Sequence, residues 1–258
     1  MPFIRGAGRI RRRRSRRPAG RPTLLLALAL LLGPQAVGIA DVASRHDDPF
    51  AAVTATGSNL TPFRKWQSVL ERYATEEREA AASGCHDART NSTACLYARW
   101  RTFLDPLRNK DRQEQLRAVN EEMNRRPYVT DLDNWRQEDH WSTPGEFFAH
   151  SGDCEDFAIA KYLSLRRLGW TGESLRIAAV FDTRLNIGHA IVVVENGGRT
   201  WILDNQIPDV VEVASVAHYR PVYSLTETTW RLHQPVEPSA ARLEPPDENR
   251  DRVGTGSR

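Results

Sequence analysis

Several things are missing from this chain of 258 residues, and each absence narrows what it can be. After residue 32 there is no apolar run of membrane length, so the remainder is expected to fold in water around one ordinary core. There are no internal repeats. No two histidines have the spacing of a zinc site: His140 and His150 stand ten apart in a polar stretch and read as surface or structural groups. Beyond residue 40 there is no basic excess either. Nine arginines lie within positions 5–21, and without them 27 basic residues face 33 acidic ones, a balance of −6. A nucleic-acid partner would need a basic face, so none is expected.

The basic leader has the order of an export signal. A basic n-region, the apolar stretch Thr23-Leu-Leu-Leu-Ala-Leu-Ala-Leu-Leu-Leu32 and small residues around Gly38-Ile39-Ala40 predict a signal peptide over residues 1–40, cut near Ala40. An uncleaved anchor is the lesser alternative. Arg16-Arg17 does not continue as a twin-arginine signal, because Pro18 and Ala19 follow.

Cysteine is scarce, with three residues at 85, 95 and 154. In an oxidising compartment Cys85 and Cys95 are the natural couple, closing a short polar loop, which leaves Cys154 unpaired. An odd thiol in an exported protein is a reactive group or a buried passenger. Pairing of Cys154 with Cys85 or Cys95 is a third, weaker alternative.

Residues 41–59 are small and polar without periodicity and read as a flexible leading segment. Thr61-Pro62 looks like an N-cap with proline at the first helical position, and Phe63, Trp66, Leu70 and Tyr73 repeat at helical spacing to about residue 82. Further helices are expected over 95–104 and over 112–123, the latter ended by Pro127. Residues 128–151 read as a structured loop. Ser151-Gly152-Asp153 opens a helix from Cys154 to about Leu168, stopped by Gly169. β-Rich runs follow at 175–181, 189–195 and 200–203, the last two joined by the turn signal Asn196-Gly197-Gly198. The tail over 234–258 reads as disordered, leaving one domain over 60–233. Helices, then a cysteine-bearing helix, then an antiparallel sheet make an α+β fold.

Three residues in that order carry chemistry. A thiolate attacks carbonyl carbon well, and at a helix start the free backbone N–H groups and the dipole are expected to lower the Cys154 pKa and to receive an oxyanion. A histidine must take and return the proton, and His189 at a strand start fits, with Gly188 beside it letting a substrate backbone approach. The other imidazole nitrogen needs an acceptor. Asp204, at the open end of the hairpin that carries His189, supplies one, with Asn205 as the adjacent fallback. Each residue has an ordinary role as well: a core thiol, a hydrogen-bonded histidine, a strand exit into a turn. The ordered combination is far more specific than its members.

The stretches Gly152-Asp-Cys-Glu-Asp-Phe-Ala-Ile-Ala-Lys-Tyr162, Gly188-His-Ala-Ile-Val-Val-Val194 and Leu203-Asp-Asn205 resemble the bacterial transglutaminase-like cysteine peptidases of the periplasmic LapG type, over roughly residues 60–225. The resemblance implies a transglutaminase-like, papain-like cysteine peptidase fold with Cys154, His189 and Asp204 as the catalytic triad. It implies dependence on calcium, held through Asp153, Glu155 and Asp156, and no organic cofactor. It also implies a periplasmic location and a substrate class, large surface adhesins cut near their N-terminal retention region at a small-residue site, often a di-alanine, which ties the enzyme to biofilm attachment. An inner-membrane cyclic-di-GMP receptor is the implied inhibitory partner. Phe157 stands where the family usually has tyrosine. The same fold also supports transfer of the acyl group to an amine, and an inert binding module is the alternative from another class.

Acids in a first helical turn are also expected from the dipole alone, and Asp153 is a natural cap. The acidic stretch Asp131-Leu-Asp-Asn134 is a weaker contributor of ligands, since it lacks the glycine of an EF-hand loop. Trp135 and Trp141 precede the cysteine and are possible groove residues, with aromatic packing the stronger expectation.

Overall fold

The computed structural model describes residues 48–83, 85 and 91–233. The expected leader over 1–40 and the tail over 234–258 lie outside the described residues.

Helical periodicity produces the N-terminal half. Helix α1 spans Arg64–Ser83, α2 Thr93–Leu104 and α3 Arg112–Asn124. Thr61-Pro62 does not cap α1. The Asn59 side chain accepts the Thr61 N–H at 3.0 Å and the Leu60 carbonyl accepts the Phe63 N–H at 2.8 Å, closing a turn, so the helix starts after it. Ser92 and Asp111 cap the next two helices by accepting N–H groups of Cys95 and Glu114. A disulfide joins Cys85 to Cys95, leaving Cys154 as the free thiol.

The segment 128–151, expected as a loop, contains two short helices, α4 (Asp131–Trp135) and α5 (Pro144–His150). The signal for α5 is a capping box. Thr143 Oγ1 accepts the Glu146 N–H at 3.2 Å and Glu146 Oε2 accepts the Thr143 N–H at 2.9 Å, with Pro144 at the first helical position. Helix α6, Cys154–Arg167, is buried at every position from Asp156 to Leu165, which makes it the central helix of the fold.

Strands β1 (Val53–Gly57), β2 (Leu175–Asp182), β3 (Ile187–Asn196), β4 (Arg199–Leu203), β5 (Val211–Glu212), β6 (Tyr219–Leu225) and β7 (Trp230–His233) form one antiparallel sheet in the order β1-β7-β6-β2-β3-β4-β5. Part of the segment expected to be flexible, 41–59, is therefore an edge strand. Its partner β7 is far away in sequence, and no local pattern announces such a pairing. Gly197 and Gly198, both at positive φ, make the two-residue turn between β3 and β4.

The sheet is buried on both faces. Trp66, Trp100, Phe147, Ile159 and Tyr162 of the helices pack on Val192, Val194 and Leu203. On the opposite face Phe50, Val213, Val216 and Tyr219 cover Ile191, Val193 and Ile202. Buried indole N–H groups find acceptors, Trp100 on Ser164 and Trp66 on the Thr226 carbonyl, both at 2.8 Å. Each fully buried large apolar side chain contributes about 1.5–3 kcal/mol.

One irregularity positions the site. Strand β4 pairs with β3 only from Val192 to Asn196, so residues 187–191 of β3 have no strand on that side. Among the described residues no helix is long and apolar enough to cross a membrane.

Candidate active site

Cys154 is the first residue of α6, half-buried, reached through Ser151 at φ 62° and Gly152. Glycine is required at 152 by close approach, because a Cβ there would collide with the Asp156 side chain. Asp156 folds back to accept the N–H of Asp153 at 3.3 Å and the N–H of Ser142 at 2.6 Å, tying the helix start to the chain ahead of α5. The Cys154 thiol hydrogen-bonds Glu155 Oε2 at 3.0 Å. It also meets the backbone N–H of Ala190, on the free part of β3 and one residue from His189. Burial pushes the thiol up, and the Glu155 and Asp153 carboxylates push it further; the Ala190 N–H opposes them but does not win. The helix start is expected to lower this thiol; burial first, and then the neighbouring acids, push it the other way.

Strand alternation sets His189 on the same face as Ile191 and Val193, opposite the helices. His189 Nε2 and Asp204 Oδ1 are 2.8 Å apart, both residues buried. They are not a cross-strand pair: the β3–β4 ladder ends at Val192 and Leu203, and the two side chains meet beyond it. Asp204 Oδ1 also accepts the Gln206 N–H at 2.9 Å, and Oδ2 accepts the Tyr219 hydroxyl at 2.5 Å. Burial alone would raise this carboxyl, yet the donors from His189, Tyr219 and Gln206 hold it below its ordinary value. Asn205, the fallback, has a buried Oδ1 with no partner. The other imidazole nitrogen, Nδ1, has the Gln206 amide at 3.4 Å. No hydrogen bond joins Cys154 to the His189 ring in this arrangement, although the thiol meets the N–H of Ala190, the next residue of β3.

A second cluster lies on the other side of Cys154. Ligand atoms of Asp131, Asp153 and Asp156 lie within 4.8 Å of one another, and so do those of Asp153, Cys154 and Glu155. Asp131 accepts the His140 N–H through Oδ2, while its Oδ1 and Asp153 Oδ1 are buried without a donor. Burial, then repulsion from Glu155, Asp156 and Asp131, pushes Asp153 up to about 9; burial, with repulsion from Asp131 and Glu155, pushes Asp156 up to about 8. Orphaned acceptor oxygens and uncompensated charge fit a hard cation. Asp153 and Asp156 converge with Asp131 of α4, and Glu155 faces the sulfur, grouped with Asp153 around Cys154.

Residues 85–231 match the family of bacterial transglutaminase-like cysteine proteinases (BTLCP). The chain belongs to this family. Solved structures of Legionella pneumophila LapG are similar to it at 27% identity: one with a TM-score of 0.51 covering 62% of this chain and 87% of that one, a calcium-bound form at 0.50 covering 65% and 92%, and an EGTA-treated form at 0.52 covering 63% and 86%. No curated protein matches this chain in sequence. The mixed helix and antiparallel-sheet architecture is the LapG-like, transglutaminase-like cysteine peptidase fold.

The candidate groove residues and Phe157 of this proteinase have the following surroundings. Trp135 packs its ring on His140 and His150, at centroid distances of 4.3 and 5.0 Å, and Trp141 packs against the helix-side core. Phe157, in place of the usual tyrosine, meets Phe147 edge-on in that core. Gly188 borders open space, with nothing within 4 Å of where a Cβ would stand. Sequence reasoning missed Tyr219 and Gln206. Gln206 was within reach, two residues past Asp204 at a strand exit, but Tyr219 arrives on β6 by a pairing with β2 that leaves no local mark.

Proposed function

We propose that this chain is an exported, calcium-dependent cysteine endopeptidase that cuts a large surface adhesin near its N-terminal retention region, with Cys154 as nucleophile, His189 as base and Asp204 as its orienting group. The observation that carries the reading is the buried 2.8 Å link from His189 to Asp204, one residue along β3 from the Ala190 N–H that the free thiol meets. Asp204 takes Nε2, so Nδ1 is the nitrogen left to receive the thiol proton, the Gln206 amide giving way. The thiolate adds to the scissile carbonyl, and the N–H groups at the start of α6 face the developing oxyanion. His189 then delivers its proton to the departing amine. The acyl-enzyme is hydrolysed by water that His189 deprotonates in turn.

Asp131, Asp153 and Asp156 would hold calcium, with carbonyls or waters completing about six to eight oxygen ligands, and the ion would supply positive charge beside Cys154. That charge would offset the repulsion from Glu155 and Asp153, so the thiol would yield its proton at lower pH. The calcium-bound LapG structure supports the metal's identity. Adhesin cleavage, periplasmic location and sequestration by an inner-membrane cyclic-di-GMP receptor rest on the family resemblance, and export rests on the basic and apolar leader.

The decisive assay incubates the protein and its Cys154→Ala variant with exported adhesin fragments, with and without a calcium chelator. Cleavage by the first alone, and only with calcium, is the expected result; equal cleavage by both removes the mechanism. Mass spectra that show cross-linked rather than hydrolysed product would assign amine transfer instead.

A further inference from the structure

A cavity of about 380 Å³ lies beside His189 and Asp204, and the steps above do not use it. Two of its walls are the groups that touch this pair: Tyr219, which donates to Asp204, and Gln206, whose amide lies 3.4 Å from His189 Nδ1. Its volume lies toward the lower end of the range of about 300–1,000 Å³ for small-ligand sites, ample for one substrate side chain.

Position follows from the proton. His189 protonates the departing nitrogen, so the residues after the scissile bond must leave past the imidazole. The backbone there is open. Residues 187–191 of β3 have no strand partner on the β4 side, and Gly188 is exposed with space around it. An extended chain can lie against that edge, and its side chains then alternate, every second one turning toward the cavity.

Charge selects what fits. Arg184 stands exposed at the rim with no ion pair among the described residues. Gln206 brings its amide, and the His218 ring nitrogen Nδ1 is buried without a partner. The one carboxylate in the wall, Asp182, is buried and turned to the backbone, its Oδ1 accepting the N–H groups of Arg184 at 2.8 Å and Leu185 at 3.1 Å. Leu185 and Ile207 give apolar walls for a methylene stem. We propose that this cavity is the leaving-side subsite and takes an acidic side chain, Glu or Asp, from the first residues after the cut, with Arg184 as its specificity-determining residue. The inference rests on the endopeptidase reading and names the substrate chemistry of that site.

The test uses the full chain with calcium on a peptide library from a chymotryptic digest of a bacterial lysate, with Cys154→Ala as the blank, and reads new N-termini by mass spectrometry. Glu and Asp should be enriched about threefold at one of the first positions after the cut, the range of an exposed ion pair. Arg184→Glu should abolish that enrichment and favour Lys or Arg there instead. A wild-type profile without acidic enrichment, or the same profile in both proteins, overturns the subsite. If wild type cuts nothing, the endopeptidase reading falls, and the subsite is judged by protection of Cys154 from iodoacetamide. Two Ala-Ala peptides that differ only in a following Glu or Gln are the probes. Better protection by the Glu peptide in wild type, reversed in Arg184→Glu, supports the subsite; equal protection refutes it.

Discussion

Asp204 on one side of Cys154 and Asp131, Asp153 and Asp156 on the other differ in how their charge is met. At the end of β4, Asp204 is withdrawn from water yet receives His189, Tyr219 and the Gln206 N–H, and its carboxyl is held below the ordinary value. At the start of α6 and α4, Asp153, Asp156 and Asp131 share a few backbone donors among them, two oxygens have none, and all three carboxyls are pushed up. Burial alone therefore does not say what a carboxylate does. Counting donors does: the satisfied one is arranged to stay charged and steer a proton, and the unsatisfied set is arranged to receive a cation.

Replacing Asp204 by Asn should break the contrast most severely. The amide keeps the shape but cannot accept from His189 with a full charge, so kcat should fall, with the loss of about 10⁴-fold known for a Ser-His-Asp triad as the upper bound. Calcium affinity, measured by titration calorimetry, should stay as it is; a parallel loss of calcium binding would mean that the two groups are one unit. Tyr219→Phe probes the same carboxylate more gently. It removes one hydrogen bond to a charged acceptor, about 1.5–3 kcal/mol, so kcat should drop about tenfold to a hundredfold. KM should be unchanged, and a rise in KM alone would argue that Tyr219 serves the cavity rather than Asp204.

On the cation side the sign inverts. Asp131→Asn should stabilise the protein in chelator by about 1 kcal/mol, because it removes a carboxylate whose repulsion pushes Asp153 and Asp156 up. With calcium the order should reverse. A ligand at a hundred times its Kd adds about 2.7 kcal/mol, and the variant should forfeit most of it. Thermal melts of both proteins in each condition check this. A variant less stable than wild type in chelator would show that Asp131 is a structural acceptor for His140 and not a ligand.

The sequence makes the compensated group easier to see than its helpers. Cys154, His189 and Asp204 stand at the starts or ends of elements whose periodicity is plain, and the Asn196-Gly197-Gly198 turn announces the hairpin that brings the last two together. The hairpin argument was nonetheless right only in outcome, since the side chains meet past the ladder rather than across it. Asp131 carried a weak signal, because an acid in a first helical turn needs no ion to explain it. Tyr219 and β1 are placed by the β2–β6 and β1–β7 pairings, which span long stretches of chain, and periodicity reports nothing about partners at that range.

A third buried acid, Glu76 of α1, tests whether donor counting holds between the two extremes. It accepts from the Thr143 hydroxyl and, at 3.4 Å, from the Gly145 N–H, and it lies near Glu146, which Arg72 neutralises. Burial, reinforced by Glu146 and opposed by those donors and by Arg72, pushes it up to about 7. A folded carboxyl above its unfolded value favours the protonated form, so the stability it contributes is complete below about pH 4 and fades as pH rises through about 7. The effect should be on the order of 1–2 kcal/mol over that interval. Glu76→Gln keeps the shape and both contacts without the titration, so its thermal melts in chelator should lose this part of the pH slope between pH 5 and 8. An unchanged slope would mean that Glu76 is already compensated as Asp204 is, and that its two donors suffice where Asp131 and Asp153 each leave an oxygen without one.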